Sequence, residues 1–171
     1  MDITIRHAEP DDYEAIHRIL SGPQAIEGTL QLPLYSLEKR RRWLSEISEG
    51  DTVLVACIED EVVGNLDLRT FPTLWRRRHI GEIGMAVRDD WQGRGVGTAL
   101  MEAVLDLADN WLNLTRLELT VYTDNAAGIA FRESETPSSS GSASGSSSSQ
   151  NTPVTSGVPS SPTTTRSLSI L

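Results

Sequence analysis

The sequence predicts an α/β (α+β) domain over residues 1–131, built on a mixed sheet, followed by a disordered tail over 132–171. Three observations predict it. Short alternating or apolar runs recur at strand length, two amphipathic helices separate the first run from the others, and a glycine-rich turn joins a strand to the longest helical pattern.

Ile3-Thr4-Ile5-Arg6 alternates as a short strand. Pro10-Asp11-Asp12 then opens a helix, with proline early and acids in the first turn where the helix dipole favours them. Tyr13, Ile16, Ile19 and Leu20 give that helix one apolar face, and Ser21-Gly22-Pro23 stops it. A loop runs through Gly28-Thr29-Leu30-Gln31-Leu32-Pro33 to Ser36, an N-cap for a second helix with Leu37, Leu44 and Ile47 on one side. That helix ends at Gly50-Asp51. Thr52 to Glu59 and Val62 to Thr70 form strands around a tight turn at Glu59-Asp60-Glu61. Phe71 to Arg78 is a longer loop, and Ile80 to Val87 is another strand. From Thr98 to Trp111 the residues Leu100, Ala103, Val104, Leu107, Ala108 and Trp111 recur at helical spacing. Leu117 to Tyr122 alternates as a final strand, so the order is β-α-α-β-β-β-α-β.

The chain changes character near Phe131. From Glu133 onward Ser and Thr dominate, Pro recurs, and Arg166 is the only charge after Glu135. Such a segment cannot bury enough apolar surface to offset the entropy of ordering, which predicts disorder. Arg132 and Arg166 cancel Glu133 and Glu135, so the whole net charge of -9 belongs to residues 1–131. That acidity argues against a general nucleic-acid surface, because neutralising phosphates needs basic side chains. The runs Lys39-Arg40-Arg41-Arg42 and Arg76-Arg77-Arg78 read as a solvated helix face and a solvated loop. Cys57, the single cysteine, cannot build a disulfide framework or a zinc site alone, and no metal is expected. Its apolar surroundings, Val53 to Ile58, favour a buried core residue over a nucleophile. No apolar run approaches the roughly 20 residues that cross a bilayer. The N-terminus has no basic and apolar leader pattern, so a cytoplasmic setting is expected.

The chemistry concentrates at Gln92-Gly93-Arg94-Gly95-Val96-Gly97, between a strand and a helix. A glycine turn feeding a helix N-terminus offers backbone N–H groups and the positive end of a dipole, a natural site for a phosphate or pyrophosphate. Side chains there would block close approach of an anion to the backbone. The turn lacks the Gly-Lys-Ser/Thr ending of a phosphate loop and the spacing of a dinucleotide fingerprint.

The turn does match the Gln/Arg-x-x-Gly-x-Gly/Ala motif, and through it the chain resembles the GNAT superfamily of N-acetyltransferases. The order of elements is similar too, over nearly all of residues 2–130. Ile5 to Tyr13, Leu54 to Gly64, Asp109-Asn110-Trp111-Leu112, Glu118-Leu119-Thr120-Val121 and Thr29-Leu30-Gln31 resemble bacterial amino-acid N-acetyltransferases of that superfamily. The resemblance implies acetyl transfer from acetyl-CoA to a primary amine of an amino acid or similar small molecule, by direct attack in a ternary complex. It implies the acyl-CoA N-acyltransferase fold, and it leaves a homodimer open. It places the pyrophosphate of acetyl-CoA on the backbone of Gly93, Arg94, Gly95, Val96, Gly97 and Thr98, with Arg94 an added charge, and it counts Gln92 of the motif among the cofactor-binding residues. The pantetheine arm would pair with the backbone of Met85, Ala86 and Val87, where that strand splays from Leu117–Tyr122. Asn125 matches a cofactor-contacting position, against a plain reading of Asp124-Asn125 as a turn. An attacking amine must be neutral, and Glu82 is the candidate base, against the reading of a strand carboxylate facing solvent. His79 is a second candidate, against a structural role at a loop edge. Acceptor selection would fall to Glu27, Thr29 and Gln31.

After Ala130 the resemblance stops. Phe131 fills an apolar place, but Arg132 stands where relatives carry a tyrosine that protonates the leaving thiolate, and the last helix and strands are missing. A reading frame shifted near Phe131 accounts for the abrupt change, and a Ser/Thr-rich linker is the rival account. The alternative to catalysis is a non-catalytic CoA-binding protein or an inactive truncated acetyltransferase. Leu117–Tyr122 would then be a bare sheet edge.

Overall fold

A computed structural model of the chain describes residues 2–29, 31–122, 125 and 165–170, of which 121–122 and 165–170 are described as backbone. The order is β1 (Thr4–His7), α1 (Tyr13–Leu20), α2 (Pro23–Gly28), α3 (Leu37–Ser45), β2 (Asp51–Ile58), β3 (Glu61–Thr70), β4 (Ile80–Val87), α4 (Val96–Asn110), β5 (Arg116–Tyr122) and β6 (Thr165–Ile170). All six strands form one sheet in sequence order, antiparallel except for the parallel pair β4–β5. The expected series from β1 to β5 is present.

Alternation along each strand divides the core into two layers. On one face Leu54, Ala56, Leu66, Leu68 and Ile83 pack with Val96, Leu100, Met101 and Val104 of α4. On the other, Val53, Val55 and Cys57 meet Ile16, Ile19 and Leu20 of α1 and Leu44 of α3. Cys57 is buried and burial raises its thiol pKa, as a core role requires. A forked pair from Arg6 to both oxygens of Asp12, at 2.7 and 2.9 Å, ties β1 to the entry of α1. Ser36 caps α3 by accepting from Lys39 N at 3.2 Å. The β2–β3 turn is made by Glu59 and Asp60 at φ of 49° and 66°, the positive pair that a two-residue hairpin requires.

Four differences stand out. Pro23 does not simply end α1; it opens the short helix α2, where its missing N–H costs nothing. Helix α3 ends at Ser45, short of the expected Gly50-Asp51, and Leu37 stays exposed. Arg40, read as part of a solvated face, is buried, with its guanidinium 4.5 Å from the ring centre of Tyr35 and 5.3 Å from that of Trp43. The edge of β5 is not bare: six residues from the segment read as a disordered tail, Thr165–Ile170, pair with it from Leu117↔Ile170 to Tyr122↔Thr165. The rest of the 132–171 segment, the boundary at Phe131 and Arg132 among its neighbours, lies outside the described residues.

Candidate active site

Strands β4 and β5 begin as neighbours and then part. Their ladder runs from Ile80↔Arg116 to Ile83↔Leu119 and ends there, although β4 continues to Val87 and β5 to Tyr122. Gly84, Met85, Ala86 and Val87 keep their bonds to β3 on one side and lose the β5 ladder on the other. A fork in a sheet leaves main-chain donors and acceptors available to an extended ligand.

The glycine turn lies at the open end of this fork. Gly93 and Gly95 hold φ of 69° and 83°, and an added Cβ at either would meet nothing within 4 Å. Backbone conformation, rather than crowding, therefore demands glycine there. Gly95 caps α4, whose first turn presents its backbone N–H groups at the same place. Gln92 Nε2 donates to Val87 O at 3.3 Å, fastening the turn to the end of β4. Helix α4 can approach the sheet because Gly64 of β3 has no side chain: a Cβ there would lie 2.9 Å from Val96 Cγ1.

A cleft of about 1100 Å³ runs from this turn through the fork to α2. It gathers the expected residues Glu82, Met85, Ala86, Val87, Gln92, Gly93, Gly95, Gly97, Thr98 and Asn125 with Glu27, Thr29 and Gln31. Two expected residues stand apart. Arg94 lays its guanidinium over Trp91, 4.8 Å from the ring centre, and Val96 sends its side chain into the core. Glu82 is held by Arg77 at 2.6 Å, and Arg77 in turn stacks on Phe71 at 4.0 Å. Arg77 is thus a partner of the candidate base rather than a solvated loop charge. His79 lines a separate depression with Trp75 and Leu112.

Of the residues expected on the acceptor side, Thr29 and Gln31 are already engaged with each other and with their surroundings. Thr29, at the C-cap of α2, donates its hydroxyl to Ala25 O and accepts from Gln31 N at 3.3 Å. Gln31 Oε1 accepts from Arg40 at 3.2 Å, and Asn125 Nδ2 donates to Gly28 O at 2.9 Å. Asn125 therefore links the β5 side of the cleft to the α2 side.

Sequence reasoning missed the floor of the cleft. Asn65, Asp67 and Arg69 of β3 line it, directly across the ladder from Ala86, Gly84 and Glu82. Burial pushes the Asp67 carboxyl up to about 6, against the opposing pull of Arg40 and the hydrogen bond from Asn65. The available signal was their alternation: three polar residues at every second position, with Leu66 and Leu68 between them. Among the described residues no group of His, Cys, Asp and Glu is arranged to hold a metal, and no helix is long and apolar enough to cross a membrane.

Comparison with known proteins points one way. The acetyltransferase (GNAT) family matches residues 13–134. The L-amino acid N-acetyltransferase AaaT of Escherichia coli K12 is 42% identical over 132 residues, covering 75% of this chain and 78% of its own length. A ribosomal-protein-alanine N-acetyltransferase from Brucella melitensis has a similar crystal structure, with a TM-score of 0.66 at 32% identity over 77% of this chain and 82% of its own. A putative acetyltransferase from Salmonella typhimurium, solved with acetyl-CoA, shares the fold with a TM-score of 0.66 at 24% identity, over 78% of each chain.

Proposed function

Because the chain belongs to the acetyltransferase (GNAT) family, we propose that it is an N-acetyltransferase moving acetyl from acetyl-CoA to the primary amine of an L-amino acid. The amino-acid class follows the 42% identical relative, whose name states that activity. The observation that carries the reading is the fork after Ile83↔Leu119 with the glycine turn at its mouth. One end offers N–H groups and a helix dipole for the pyrophosphate, and the middle offers the unladdered backbone of Met85, Ala86 and Val87 for the pantetheine amides. The acyl carbon then lies near the apex, within the acceptor half of the cleft. Arg94 adds positive charge close to the turn, from its place over Trp91.

Transfer is a direct displacement in a ternary complex. The acceptor loses a proton, its nitrogen attacks the thioester carbonyl, the C–S bond breaks, and the thiolate leaves with a proton. Glu82 is a carboxylate on the cleft wall within reach of this chemistry, though its partner Arg77 restrains it. Glu27, Thr29 and Gln31 border the acceptor on the α2 side.

Purified protein is incubated with acetyl-CoA and a panel of L-amino acids, and free thiol is read alongside acetyl-CoA binding by calorimetry. Thiol release above background with at least one amino acid is expected. Binding of acetyl-CoA with no release to any amine overturns the reading in favour of a non-catalytic CoA-binding protein.

A further inference from the structure

The acceptor half of the cleft contains polar atoms that the fold leaves incomplete. Asn65 is only 1% exposed, yet its Oδ1 accepts no hydrogen bond. A buried, unpaired acceptor is costly and asks for a donor. Asn65 Nδ2 leans toward Asp67 Oδ1 at 3.5 Å, and both residues line one stretch of the cleft, with the amide oxygen left to accept from elsewhere.

The register places these atoms beside the reacting centre. Asp67 lies directly across from Gly84, the first β4 residue beyond the last rung of the β4–β5 ladder. A Cβ on Gly84 would meet nothing within 4 Å, so the space in front of Asp67 is open toward the fork. Glu82 sits two residues back, roughly 6.6 Å along the strand, and is tied to Arg77 at 2.6 Å. Among the described residues Asp67 has no such ion pair at contact distance; Arg40 acts on it through space.

Resting on the transferase reading above, we infer that Asn65 Oδ1 and the Asp67 carboxylate receive the acceptor's ammonium group, and that Asp67 takes its proton before attack. The amine arrives as RNH₃⁺ and gives one proton to Asp67, which later returns it to solvent. The neutral nitrogen bonds to the acetyl carbon, the C–S bond breaks, and the second nitrogen proton accompanies the leaving thiolate. The products are the N-acetyl amine and CoA. A base titrating near the working pH suits this role, and burial holds Asp67 at about 6. The charged groups facing it are Arg40 from α3, Arg69 from its own strand and Asp51 from β2, while Glu82 shares the cleft wall.

The test uses the full chain, wild type against Asp67→Asn, with kcat/KM for the preferred amino acid followed from about pH 5.5 to 9.5. At pH 7 the variant is expected to lose about 100-fold while its acetyl-CoA Kd stays within about twofold. The deficit should shrink as pH approaches the amine's own pKa, where the acceptor arrives neutral and needs no base. Glu82→Gln should retain the break near 6. Activity of Asp67→Asn within about threefold of wild type overturns the inference, as does a deficit of equal size at every pH. Should Asp67→Asn fail to fold, Gly84→Val fills the open space opposite Asp67; an unchanged acceptor KM there also overturns it. A wild-type chain that binds acetyl-CoA but acetylates nothing removes the transferase reading itself, and this role falls with it.

Discussion

Asp67 is held in a place that disfavours its charge, and that has a consequence for stability separate from rate. Its folded-state pKa of about 6 exceeds the ordinary 3.8, so the folded state binds more protons between those values. The stability linked to this group is therefore fully present below the ordinary value and lost as pH rises through about 6. Asp67→Asn removes the cost and should raise stability at pH 7.5, by about 1–3 kcal/mol, with the difference closing near pH 4. Paired thermal melts check this; a variant less stable than wild type at pH 7.5 refutes it. Such a gain beside a loss of rate is the usual signature of a residue kept for function. Arg40 shows why single residues were hard to read. A run of four basic residues signals solvent, and only the tertiary positions of Tyr35, Trp43 and Gln31 make one of them a buried stacked cation.

At the scale of elements, the glycine turn was the most legible part of the chain, because its requirement is local. Positive φ at Gly93 and Gly95 follows from backbone geometry alone, and the pattern announced it. Gly95→Ala should cost about 1 kcal/mol or more, since the left-handed conformation is strained for any side chain. The same variant should weaken acetyl-CoA binding by displacing the first turn of α4, while Gly84→Ala, in open space at ordinary φ, should leave acetyl-CoA binding unchanged. Calorimetry on the two variants distinguishes a conformational demand from a spatial one. Equal loss of affinity in both would refute the argument. Strands with one buried face were legible for the same local reason, as the limits of β4 show. The short helix α2 was not, because proline signals both the end of one helix and the start of the next. The fork between β4 and β5 came from resemblance rather than spacing: which rungs of a ladder are missing depends on two strands distant in sequence.

At the scale of the whole molecule, the open question in the sequence was how β5 ends the sheet. A strand whose outer edge is unpaired presents a row of donors and acceptors that recruits other chains. In the structure β6 meets that row from Leu117 to Tyr122, all of β5 but Arg116. Leu168 and Ile170 alternate with Ser167 and Ser169, but so short a run does not stand out from the Ser/Thr tract, and such an edge strand gains its ordering from main-chain bonds to a partner already in place. This predicts that a chain ending at residue 164 keeps β1–β5 but exposes the β5 edge. Its melting temperature should fall, because a margin of roughly 5–15 kcal/mol leaves little room for losing a ladder. Light scattering should show growth of higher-order species. The proposed acetyl-CoA site lies on the opposite side of β5, toward β4, so binding at low protein concentration should survive the truncation. An unchanged melting temperature with no association would show that β6 contributes nothing to the sheet, and the edge of β5 would then need protection from elsewhere in the chain.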